Sequence, residues 1–121
     1  MSHNIQKTIT INGPVADLAF IYRWAQNIVD CLVSIEGHTT IHHDLSALVD
    51  LLGGDATQLV DIHGWSDIDE VDFDGNQLYI VVITPYGNLR DLMTWFRKRF
   101  SMCDFKCWID VNGETIENET D

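Results

Sequence analysis

With 19 acidic against 7 basic residues in 121, the chain has a formal net charge of −12, a field that repels nucleic acid and anionic lipid and favours basic protein surfaces. Its 45% apolar content is that of a folded domain and excludes disorder as the meaning of the charge. The length fits one domain, and no apolar run approaches the roughly 20 residues that cross a bilayer.

Lys7 to Asn12 alternates, with Ile9 and Ile11 on one face and Thr8 and Thr10 on the other, which predicts a strand. Gly13-Pro14 opens a helix with Pro at its first position, and Leu18, Ile21, Tyr22, Ala25, Ile28, Val29 and Leu32 form its apolar stripe. Leu32 to Glu36 is expected to return as a strand. Asp44 caps a short helix to Leu52 that Gly53-Gly54 stops. Thr57 to His63 offers a weaker strand.

Val71 and Phe73 alternate with Asp72 and Asp74, and Leu78 to Thr84 is almost continuously apolar. The two segments predict a hairpin turning at Asp74-Gly75, its second strand central in a sheet and ending at Pro85. Asn88 caps a helix with the stripe Leu89, Leu92, Met93, Phe96 and Phe100. Arg97, Lys98 and Arg99 fall in its last turn, where positive charge offsets the helix dipole. Cys103, Phe105, Cys107 and Ile109 then alternate with Asp104, Lys106, Trp108 and Asp110 in a last strand. Residues 114–121 read as an acidic flexible tail behind a single domain over 1–113.

This order predicts an α+β fold of the ferredoxin-like plan: an antiparallel sheet with two long helices on one face and a small inserted helix. The other sheet face then needs a cover or a partner.

The opening Thr-Ile-Thr-Ile-Asn-Gly-Pro and its apolar helix, Trp65, the strand entering Thr84-Pro85-Tyr86-Gly87, the Leu89 to Phe100 helix and the closing strand to Asn112-Gly113 carry a likeness. Over most of its length the chain resembles the YubB-type ferredoxin-like domain family of phages and plasmids. The resemblance implies a mobile-element accessory protein and supplies no catalytic residues.

The three cysteines, Cys31, Cys103 and Cys107, are odd in number and follow no secretory signal, so reduced thiols in a cytoplasm are expected. Cys103 and Cys107 lie four residues apart on a strand, about 13 Å by strand rise. That distance rules out both a shared zinc ion and a mutual disulfide, and a place in the core suits them better. His42-His43-Asp44 could pair a base with an orienting carboxylate or hold a metal. No nucleophile motif, phosphate loop or H-E-x-x-H accompanies them, and solvent-facing loop residues are the plainer reading. Asp67, Asp69 and Glu70 approach a calcium loop but lack its Gly and its closing Glu. No enzyme, cofactor or metal is therefore expected. The large Asp excess also fits salt adaptation, although the Ile, Trp and Phe content opposes it.

Between Arg23 and Arg90 there is no Lys or Arg, while eleven Asp or Glu residues fall there. The density peaks at Asp61, Asp67, Asp69, Glu70, Asp72 and Asp74. A solvated edge is the simple reading, but mixed-sign surfaces are the norm, and so one-sided a run suits recognition of a basic groove. Trp65 or Trp108 would be the apolar anchor, Trp108 lying with Thr8, Thr10, Asp104 and Lys106 on the sheet face away from the helices. The basic cluster Arg90, Arg97, Lys98, Arg99 and Lys106 is expected to offset the helix dipole or to pair with the acidic surface of a second copy, and not to hold nucleic acid.

The resulting expectation is a small acidic phage or plasmid protein that inhibits a basic, nucleic-acid-handling host defence protein by mimicking nucleic acid, an anti-CRISPR-like inhibitor. It would touch neither nucleic acid nor membrane directly. The alternative is a self-associating structural or regulatory module, a homodimer through the open sheet face.

Overall fold

A computed structural model describes residues 5–30, 44–59, 62, 66–84, 89–111 and 114–117. The strands are β1 (Ile5–Asn12), β2 (Asp67–Phe73), β3 (Gln77–Thr84), β4 (Asp104–Val111) and β5 (Glu114–Glu117). The helices are α1 (Val15–Val29), α2 (Asp44–Leu51) and α3 (Arg90–Arg99). The fold is α+β, with one antiparallel sheet in the order β2-β3-β1-β4-β5.

The middle strand β1 sets the pattern. Ile9 and Ile11 are wholly buried, while the alternating Thr8 and Thr10 stay partly open. Pairing carries this alternation outward: Ile11 lies between Leu78 and Phe105, and Thr8 between Val81 and Trp108. The buried face therefore runs through Leu78, Ile80 and Val82 on β3 and Phe105 and Cys107 on β4. These join Leu18, Ile21, Ala25 and Ile28 of α1 and Leu92, Met93 and Phe96 of α3 in one core. Phe96 stacks on Phe105 with centroids 4.9 Å apart, and Tyr22 meets Phe73 at 5.6 Å.

One end of the buried face is polar. Lys7 is 0% exposed, as are Ser66 and Thr84, whose hydroxyls share a 3.1 Å hydrogen bond donated by Ser66. Burial lowers the Lys7 pKa, and charge on Cys107 opposes that shift.

Several elements differ from the sequence expectation. The strand foreseen over Thr57 to His63 begins instead as a 3-10 turn, Ala56–Gln58. The Asp55 carboxylate accepts from the Thr57 amide and hydroxyl, and Asp50 accepts from the Ala56 amide, a local alternative to strand pairing. The first hairpin strand starts at Asp67, ahead of the Val71 to Asp74 alternation, and a bulge between Ile68 and Glu70 breaks the period-two pattern within it. Residues 114–117, expected within a flexible tail, pair with β4 as β5. Pro14 precedes the first turn of α1, its carbonyl accepting from the Asp17 and Leu18 amides. The strand expected at Leu32 to Glu36 and the Asn88 cap lie outside the described residues. Among the described residues no helix is long and apolar enough to cross a membrane.

Gly54 follows α2 directly beneath Trp95, and a Cβ at this position would overlap the indole. Gly54→Ala is expected to cost about 1–3 kcal/mol by overpacking, read as a lower urea midpoint with an unchanged m-value. An unshifted midpoint would show that Trp95 moves aside freely.

Candidate functional site

The face of the sheet opposite the core is half-open. Its rows follow from the register: Glu70, Val81, Thr8 and Trp108 lie side by side in one, and Asp72, Tyr79, Thr10 and Lys106 in the next. Trp108 is partly buried, and its indole Nε1–H donates to Thr10 Oγ1 at 2.9 Å. The bond links the ring to the residue in the neighbouring row.

Two shallow depressions cover this face. The first, about 410 Å³, is lined by Thr8, Glu70, Asp72, Asp74, Tyr79 and Val81. The second, about 430 Å³, is lined by Thr8, Thr10, Tyr79 and Trp108. They share Thr8 and Tyr79, so together they run from the acidic strand β2 to the indole of Trp108. Of the foreseen site residues, Glu70, Asp72, Asp74 and Trp108 are thereby brought to one surface. Asp67 is half-buried at the start of β2, paired with Ile83, and Asp69 is the exposed extra residue of the bulge. Asp61 and Trp65 lie outside the described residues.

Asp74 also builds the turn. Its carboxylate accepts from the Asn76 and Gln77 amides at 2.8 Å each, and Gly75 adopts φ 95° between the strands. These hydrogen bonds hold the Asp74 pKa below its ordinary value. The carboxylates on Glu70 and Asp72 stand two residues apart, about 7 Å along the strand.

Tyr79 and Val81 were not singled out by the sequence reading, which took Leu78 to Thr84 as a strand apolar on both sides. The signal was present as parity: Leu78, Ile80, Val82 and Thr84 are buried, leaving the odd positions for the open face.

The basic residues are largely engaged in the fold. Arg97 Nη2 donates to the Phe105 carbonyl at 2.8 Å, and Arg99 Nε donates to the Leu52 carbonyl at 2.9 Å, with its guanidinium over Phe100. Arg99 thus satisfies a carbonyl at the end of α2. Lys106, half-buried, is the cation in the Tyr79 row.

Cys103 and Cys107 are buried and free. The Cys103 thiol donates to the Asp17 carboxylate at 3.7 Å, and burial, followed by that negative charge, pushes it up to about 11. Burial also raises Cys107, opposed by Lys7. Among the described residues no group of three or more His, Cys, Asp or Glu is placed to hold a metal. His42 and His43 lie outside the described residues, as does the side chain of Asp44. No family model, curated protein or solved structure matches the chain.

Two outcomes follow. Cys103 and Cys107 are expected to resist iodoacetamide at pH 8 in the native protein and to react once denatured, because little thiolate forms at that pH; mass spectrometry showing rapid native labelling of either would contradict their buried, protonated state. The lowered Asp74 pKa gives stability that is present above its unfolded value and is lost as pH falls through the folded one. Amide exchange at Asn76 and Gln77 should accelerate over that acid range relative to the β1 amides, and Asp74→Asn should abolish the pH-dependent part.

Proposed function

We propose that the chain is a small acidic binding protein, of the kind carried by phages and plasmids, that inhibits a basic nucleic-acid-handling host protein by occupying its nucleic-acid groove. The observation that carries this reading is the convergence of Glu70, Asp72 and Asp74 beside a depression floored by Tyr79 and Trp108. A run of carboxylates along β2 and its turn offers a basic groove the charge it ordinarily meets in a phosphate track. The partly buried indole supplies the apolar anchor that a purely ionic contact lacks. An anti-CRISPR-like role suits this chemistry, and no catalytic role is assigned.

The strand order and the packing of Tyr22 on Phe73 and Phe96 on Phe105 support the ferredoxin-like plan for the first four strands. In that reading α1 and α3 share one face, β5 extends the edge, and the half-open second face receives the partner. A second copy of the chain is a poorer occupant than a basic protein, since two copies of net charge −12 repel.

The test is capture by the tagged protein from a host lysate, followed by displacement with duplex DNA and with salt. Captured nucleic-acid-binding proteins are expected to leave on addition of DNA or at high salt. The variant Asp69→Lys, Glu70→Lys, Asp72→Lys should keep its circular dichroism spectrum and bind them at least about 100-fold more weakly. Capture that survives the charge reversal, or that DNA does not displace, would overturn the reading.

A further inference from the structure

The open face differs from a simple acidic surface because its carboxylates border an aromatic floor. Asp72 and Tyr79 are direct cross-strand partners, and Glu70 is diagonal to Tyr79, placing the Cβ atoms of both acids within about 8 Å of the Tyr79 Cβ. Val81 and the Thr8 and Thr10 side chains continue the floor to Trp108, whose indole is tied to Thr10. On the far side Lys106 occupies the same row as Asp72 and Tyr79. A cation entering the groove is therefore repelled from the β4 side and drawn toward β2.

Resting on the proposed function, we infer that this groove selects arginine over lysine: its occupant is an arginine-bearing extended segment of the basic partner, a guanidinium lying on Tyr79 and forking toward Glu70 and Asp72. The chemistry discriminates between the two cations. A guanidinium is planar, weakly hydrated and able to stack on an aromatic face while its edge donates to carboxylates. An ammonium is a compact, strongly hydrated charge that gains little from the ring face or from two acids whose backbones stand about 7 Å apart. The aliphatic stem of the arginine would cover Val81 and Thr8, and the neighbouring apolar residue of the segment would meet Trp108. Charge complementarity fixes the class of occupant, and the aromatic floor narrows it.

The experiment titrates the full chain with oligoarginine and oligolysine peptides of equal length by calorimetry, with the Trp108 indole and Tyr79 amide followed by NMR. The arginine peptide is expected to bind at least about 5-fold more tightly and to shift both signals. Tyr79→Leu, which keeps an apolar side chain but removes the ring, should bring the two peptides to within about 2-fold of each other. Thr10→Val, a smaller change that releases the Trp108 indole, should weaken both peptides while leaving the preference for arginine. Equal affinities in the unsubstituted protein, or a preference unchanged by Tyr79→Leu in a variant with native circular dichroism, would overturn the inference and leave the acidic-surface reading standing. Failure of both peptides to bind at low salt would overturn both.

Discussion

The alternation of β1 is the constraint on which the rest depends. It is the middle strand, paired on both sides, so a shift of one residue would exchange Ile9 and Ile11 for Thr8 and Thr10 across the whole sheet. With the isoleucines in, the apolar stripes of the helices close one core. The threonines are then left on the other face, between Tyr79 and Val81 on one side and Lys106 and Trp108 on the other. The same alternation that builds the core thus assembles the candidate groove.

Charge is distributed around this frame in a way that composition alone does not convey. Arg97 and Arg99 spend their donors on backbone carbonyls of β4 and the end of α2, so two of the few cations tie elements together. Asp69, Glu70 and Asp72 stand exposed along β2, and Asp74 serves the turn that follows it. A strand carrying Asp67, Asp69, Glu70 and Asp72 beside a bulge is also well protected from pairing edge to edge with another copy. Recognition and protection from aggregation are therefore compatible uses of one acidic edge.

Much of the fold was legible in the sequence because its periods are clean. β1, α1, α2, α3 and β4 follow two- or 3.6-residue apolar spacing, and the Asp74-Gly75 turn carries its own signal. The misses have local causes. The bulge at Asp69 lets Ile68 and Val71 share a face three residues apart, which concealed the start of β2. Asp55 and Asp50 capture backbone amides and turn Ala56–Gln58 into a 3-10 segment where β-branched and apolar residues suggested a strand. β5 was concealed by its acidic neighbours, since pairing with β4 decides a four-residue strand more than its composition does. At the site, the carboxylates were evident as a charge run, but Tyr79 was hidden in an apolar stretch whose two faces only the register separates.

The measurement that bears most directly on the central claim is NMR mapping of the labelled chain while a basic DNA-binding domain is titrated in at low salt. The account predicts that perturbations gather at Thr8, Thr10, Glu70, Asp72, Tyr79 and the Trp108 indole and fade as salt rises. Perturbations confined to the outer surfaces of α1 and α3, with the open sheet face silent, would contradict it.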